Sequence, residues 1–376
     1  MPQIPMVEPV NSARHALSVR DLVVDFVQDT GAVRALDGVS LDLHAGRVLG
    51  VVGESGCGKS VTARAILRLI DRPGRIASGR VLLDPDTPEQ QDLTALDPEG
   101  KAMRAVRGGR IGLIFQEPMT ALSVHYTVGN QIVEAMRAHS DMSKAEARER
   151  VVALLREVGI PRPETRIDAY PFQLSGGLRQ RVGIALALAA DPQILIADEP
   201  TTALDVTTQA QILALLRRLQ RTKGVALMLI THDMGVIAQM ADDVAVMYLG
   251  RMVEFAPVAQ LFAAPQHPYT RALLRSVPNI SAVPRERLAT IGGAVPHPGA
   301  RPVGCPFHPR CPEIIKGRCE TVAPPEIPPG ERGASCFHAA GAVRIVEAVS
   351  RWKSPNARSR ISPRPDASAG DRGSHG

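Results

Sequence analysis

The feature that most constrains this chain is a run of eight residues, Gly53-Glu54-Ser55-Gly56-Cys57-Gly58-Lys59-Ser60, set between two different periodicities. Before it lies the continuous apolar stretch Val48 to Val52, which reads as a buried strand. After it comes Val61 to Ile70, which has helical spacing. The run fits GxxxxGK[ST] in the strand-loop-helix setting that a phosphate-binding loop needs. Its glycines let backbone N–H groups wrap an anion at a helix N-terminus, Lys59 reaches the β/γ oxygens, and the Ser60 hydroxyl is placed to ligate Mg²⁺. Gly53, Glu54, Ser55, Gly56, Cys57, Gly58, Lys59, Ser60 and Val61 are therefore the expected nucleotide-binding residues.

Further apolar runs, Leu22 to Phe26, Ile111 to Phe115, Ile194 to Ala197 and Ala226 to Ile230, alternate with helical patterns such as Lys144 to Val158 and Thr208 to Arg221. That alternation reads as α/β. The Ile194 run ends in Asp198-Glu199, two carboxylates for which a core strand has no structural use. At the carboxyl end of a parallel strand beside the phosphate loop, Asp198 would hold Mg²⁺ and Glu199 would polarise the attacking water. The Ala226 run delivers Thr231-His232-Asp233 to the same edge, so His232 is expected at the γ-phosphate. No guanine-reading NKxD sequence is present, which favours ATP.

Leu174-Ser175-Gly176-Gly177-Leu178-Arg179-Gln180-Arg181 lies 23 residues before Asp198, counted from Ser175. Two glycines opening a helix make a second anion-binding end, which one phosphate site per chain does not require. The run resembles the LSGGQ-type signature of ATP-binding cassette (ABC) ATPases. The resemblance assigns Leu174, Ser175, Gly176, Gly177 and Gln180 to the ATP held by a second subunit. It makes Phe26 the aromatic that stacks on adenine, and Gln116 the glutamine that contacts Mg²⁺ or water and senses a membrane partner. Asp205, in Ala203-Leu204-Asp205, becomes the loop that crosses to the opposite subunit.

Other stretches, Glu117-Pro118-Met119-Thr120-Ala121-Leu122, Tyr126-Thr127-Val128-Gly129, Tyr170-Pro171, Met247-Tyr248 and His267-Pro268-Tyr269-Thr270, are similar to the ATPase subunits of dipeptide, oligopeptide and nickel importers, and to the first of their two paired types. Two positions depart from the pattern: Ser123-Val124 stands where Asn-Pro is usual, and Leu178 where Met is. The fold implied is a P-loop NTPase cassette over 17–258, with a RecA-like core, an antiparallel β subdomain and a helical subdomain at about 95–185. A Pro- and Cys-rich extension over 259–340 follows, with an N-terminal segment 1–16 and a basic tail 341–376 outside the cassette.

The resemblance implies ATP and Mg²⁺ as cofactors, a second ABC ATPase subunit, two permease subunits and, indirectly, an extracytoplasmic solute-binding protein. The expected place is the cytoplasmic face of the membrane and the expected cargo is peptide. Nickel or a peptide-like antibiotic is the alternative cargo, and a non-transport cassette is the rival class.

Composition agrees and adds one question. Of 31 prolines, 18 fall from Pro257 onward, where Cys305, Cys311, Cys319 and Cys336 are spaced C-x5-C-x7-C-x16-C. Iron–sulfur centres accept such wide spacing, and relatives are similar in carrying [4Fe-4S] there; Zn²⁺ and unmetallated thiols are the other readings. Cys57 lies near a helix N-terminus and Lys59, which should lower its pKa, and the reading preferred for it is a serine-sized filler with no role. The net charge of +6 is compatible with a nucleic-acid face, an anionic membrane surface or a local basic tail, but aromatics are only 3% of the chain, so stacking platforms are scarce and no nucleic-acid partner is expected. Six Lys or Arg against two Asp lie in 351–376, which puts most of the excess in the tail.

Overall fold

The computed structural model describes residues 14–29, 31–276 and 291–339. Most of the N-terminal segment and the whole 341–376 tail lie outside the described residues.

Among the described residues two sheets carry the fold. The strands, in chain order, are β1 (His15–Gln28), β2 (Gly31–His44), β3 (Val48–Val52), β4 (Gly74–Leu83), β5 (Gln91–Asp92), β6 (Ile111–Ile114), β7 (Ile194–Asp198), β8 (Ala226–Thr231), β9 (Asp243–Tyr248), β10 (Arg251–Pro257) and β11 (Gly333–Ala334). One sheet, ordered β2-β1-β4-β5, is antiparallel. The other runs β11-β10-β9-β3-β8-β7-β6 and is parallel from β9 to β6. Every residue of β3, β7 and β8 is buried, as expected of central strands covered on both faces.

The parallel register makes the site. Val52 is paired with Thr231, and Asp198 with Ile230. Three chain exits therefore share one carboxyl edge: Gly53 after β3, Glu199 after β7 and His232 after β8. A sheet of this kind places its ligands outside that edge.

Helices Val128–Arg137, Lys144–Glu157 and Gly176–Ala187 pack on one apolar cluster that includes Ile132, Leu155 and Ile184. The Lys144–Glu157 helix begins at a reciprocal cap: the Ser143 side chain accepts from Glu146 N–H, and the Glu146 carboxylate accepts from Ser143 N–H. The 95–185 stretch is not wholly helical, because β6 lies within it and joins the main sheet as an edge.

The division near residue 258 is a change of composition, not a break in packing. β11, from the extension, pairs with β10, and Ser335 N–H donates to Val253 C=O at 2.9 Å. Tyr248 of the cassette shares an aromatic cluster with Tyr269 (ring centroids 4.8 Å apart) and Phe307 (5.3 Å). All three rings are fully buried, and Cys305 and Cys319 pack in the same cluster.

Candidate active site

The phosphate loop sits where only glycine fits. Gly53 has φ 154°, and a Cβ there would lie 2.2 Å from the Met247 carbonyl oxygen; Gly58 has φ 101° and is pressed against Leu36. The helix Lys59–Ile66 starts directly after it, with Ser55 and Gly56 exposed at the turn and Val61 packed against the neighbouring core. The Lys59 ammonium lies back across the loop, donating to the carbonyl oxygens of Gly53 (2.8 Å) and Glu54 (3.1 Å). A buried Lys must be paired. Here loop carbonyls and a nearby thiol serve, Cys57 Sγ being 3.8 Å away.

Cys57 corrects one expectation. It is 1% exposed, and burial pushes its thiol pKa up, more than Lys59 and the local backbone N–H groups pull it down. The helix N-terminus does not make it a reactive thiolate.

Ser60 Oγ donates to Asp198 Oδ1 at 2.9 Å, so the phosphate loop and β7 meet through the two oxygen ligands assigned to Mg²⁺. Asp198 is 8% exposed, and its pKa is raised by burial first and by the Glu199 charge second. A buried carboxylate with a hydroxyl beside it is the hard-oxygen donor set that Mg²⁺ accepts. The residues fit the ion.

Glu199 is held from three sides. Its Oε2 accepts from Thr202 Oγ1 (2.8 Å) and Gln116 Nε2 (3.3 Å), and its Oε1 is 3.3 Å from His232 Nδ1. Its backbone is left-handed (φ 45°), fixed by Glu199 N–H donating to Ile230 C=O at 2.9 Å. Non-glycine residues hold such a conformation only where surroundings impose it, often at a functional site. Gln116 and His232 are exposed, while the Glu199 side chain between them is 12% exposed. The sequence reading named Gln116, Glu199 and His232 and missed Thr202. A hydroxyl three residues beyond a carboxylate is a weak signal until the turn brings it back.

Phe26 lies near the end of β1, opposite Val33 and Gly74, half-buried against the core of the antiparallel sheet. A Cβ on Gly74 would lie 2.7 Å from its ring, so the ring's position depends on that glycine.

The signature run forms a second helix start. Ser175 is the N-cap of Gly176–Ala187, and its hydroxyl caps no backbone amide. Ser175 and Gly176 are exposed, while Leu174 and Gln180 are buried beneath them. Gly177 packs against Thr208, where a Cβ would come within 2.6 Å of Cγ2. Asp205 caps the helix Val206–Lys223 by accepting from Thr208 N–H at 2.9 Å and Thr208 Oγ1 at 2.8 Å, bonds that lower its pKa. This cap is a role in its own chain, alongside the crossing role that the resemblance gives it.

The four late cysteines gather in one corner. Burial pushes the Cys305 thiol up to about 11, and Cys319, Cys336 and Cys311 add to the shift. Burial likewise raises Cys311 and Cys336. Yet among the described residues no group of three or more His, Cys, Asp or Glu is drawn close enough to hold a metal ion. Cys319 Sγ instead accepts from Ile315 N–H at 3.4 Å. Neither the [4Fe-4S] nor the Zn²⁺ expectation finds a formed site.

The description "ABC transporter" matches residues 36–202, and "Oligopeptide/dipeptide transporter, C-terminal region" matches residues 253–319. Over 309 residues the chain is 50% identical to the dipeptide transport ATP-binding protein DppD of Bacillus subtilis, covering 82% of this chain and 90% of that one. The chain belongs to the ATP-binding subunits of oligopeptide and dipeptide ABC transporters. This cassette is also 48% identical over 332 residues to a probable peptide ABC transporter ATP-binding protein of Sinorhizobium fredii, covering 88% of this chain and 96% of that one. Its fold is similar to that of the ATP-binding cassette MJ0796, a dimer in a post-hydrolysis state bound to ADP and Pi. The TM-score is 0.57 at 27% identity, over 64% of this chain and 98% of that one. The cassette is an ATPase. Among the described residues no helix is long and apolar enough to cross a membrane.

Proposed function

We propose that this chain binds Mg·ATP at Lys59, Ser60 and Asp198, hydrolyses it with Glu199 as base, and so energises an importer of dipeptides or oligopeptides. The observation that carries the catalytic part is the Glu199 carboxylate held by Thr202, Gln116 and His232 one residue after the Ser60–Asp198 pair. Ser60 and Asp198 would hold Mg²⁺, which when bound offsets the negative charge of the β- and γ-phosphates. Lys59 leaves its two loop carbonyls for those phosphate oxygens. Glu199 takes the proton of the attacking water as its oxygen bonds to phosphorus, Gln116 orients that water, and His232 faces the γ-phosphate. The ADP–phosphate bond breaks in line with the attack.

Ser175, Gly176 and Gly177 would meet the ATP of a second cassette, with Asp205 at the crossing loop. Two permease subunits would transmit the closure of the pair, and a solute-binding protein would deliver the cargo. The support for peptide is the dipeptide transport named for the relatives and the match of 253–319 to their C-terminal region.

The test is reconstitution of the cassette with its partner ATPase, permeases and binding protein in vesicles. A rise in ATP turnover when di- or oligopeptides load the binding protein is the expected result. Stimulation by nickel and not by peptide would overturn the cargo, and an ATP-dependent complex with DNA or ribosomes in place of permeases would overturn the class.

A further inference from the structure

The phosphate loop is held from outside the nucleotide core. Arg310, in the extension, donates to both carboxylate oxygens of Glu54: Nη1 to Oε2 at 2.7 Å and Nη2 to Oε1 at 3.0 Å. The two residues are 256 apart in sequence. The Arg310 side chain is only 3% exposed, and its other contacts fix its plane. Its Nε donates to Gly292 C=O at 3.0 Å, Nη1 also donates to Tyr248 Oη at 3.4 Å, and the guanidinium lies over the Tyr248 ring. Tyr269, also beyond residue 258, accepts from Glu54 N–H at 2.8 Å through its hydroxyl. Both the side chain and the amide of the first residue after Gly53 are thus committed to the extension. In this arrangement both groups are engaged by residues of the extension.

From this the geometry points to a positioning role for Arg310: through Glu54, the extension sets the conformation of the loop that cradles ATP. This rests on the phosphate-loop assignment and goes beyond it. A bidentate Arg–carboxylate pair fixes orientation as well as distance. A loop whose backbone N–H groups must converge on phosphates loses much of its binding from a displacement of about 1 Å. Arg310 directly precedes Cys311, so the thiol corner and the nucleotide loop are joined through one part-buried ion pair.

The experiment measures ATP affinity and steady-state ATPase of the full-length chain in its transporter complex. Arg310→Ala is expected to raise the Kd and KM for ATP about tenfold, with kcat within about twofold. Arg310→Lys, which keeps charge but not the fork, is expected to fall between. In a Glu54→Gln background, Arg310→Ala should add little, because the two changes break one contact. A merely structural role for Arg310 would lower the melting temperature and add its full effect on top of Glu54→Gln; that outcome, or an unchanged KM in Arg310→Ala, overturns the proposal. If Arg310→Ala does not fold, Arg310→Lys in both backgrounds gives the same two outcomes. A wild-type complex that failed to bind ATP would strike at the phosphate-loop assignment instead.

Discussion

Two glycine-rich helix starts, at Lys59 and at Gly176, use the same physics and end differently. Each offers backbone N–H groups and the positive end of a helix to an anion. At the first, the same chain supplies everything else: Lys59 in the loop, Asp198 on Ser60, and Glu199 beyond it with Thr202, Gln116 and His232. At the second, Ser175 and Gly176 face solvent, and the Ser175 hydroxyl caps nothing within its helix. One end is furnished by its own chain, and under the proposed function the other would meet an ATP held by a second cassette. On the proposed function, the contrast means that each cassette would supply half of two sites.

That comparison can be broken by substitution. The largest effect is expected from Glu199→Gln, which keeps the shape but removes the base: turnover should fall roughly 10²- to 10⁴-fold while ATP binding persists, measured by phosphate release and by equilibrium binding. Lys59→Ala should come next, weakening ATP binding roughly 10- to 100-fold by removing a charge-assisted contact to phosphate, as titration with a fluorescent ATP analogue would report. Ser175→Ala should leave ATP affinity of the separated chain unchanged and lower turnover of the assembled pair about tenfold. Equal damage in the separated chain would mean that the signature end belongs to its own chain's site.

The smallest effect is one of pH. Asp198 must be ionised to hold Mg²⁺, and burial raises its pKa, so the protonated form persists to higher pH than in an ordinary carboxylate. Magnesium-dependent ATP binding should therefore weaken as pH falls through that raised value, by up to about tenfold per unit below it, and recover as pH rises. Binding measured without Mg²⁺ should be flat over the same window. A midpoint at or below about 3.9, the unperturbed Asp value, would contradict the burial argument.

How much of this was legible in sequence follows from distance along the chain. The loop 53–60, the pair Asp198-Glu199 and His232 could be read because each is a local run at the end of an apolar strand, and parallel register brings strand ends together. Thr202 was missed because its contact depends on a turn, and Arg310 because its partner is 256 residues away and only tertiary packing joins them. The Cys57 expectation failed for a related reason: a helix N-terminus can be read from sequence, but the burial that outweighs it cannot. The cysteine spacing placed four thiols in one region and could not show that they fall short of a metal-holding group. The boundary near residue 258 was legible as composition, while β11 and the shared aromatic cluster that bridge it were not.

The most direct test of the central claim isolates this chain's own site. In the assembled transporter, with the partner cassette's catalytic carboxylate removed, single-turnover ATP hydrolysis is compared for wild-type Glu199 and Glu199→Gln. The account predicts that the wild-type site converts its bound ATP to ADP while the variant retains ATP in a closed pair. Conversion at the same rate in both would show that Glu199 is not the base.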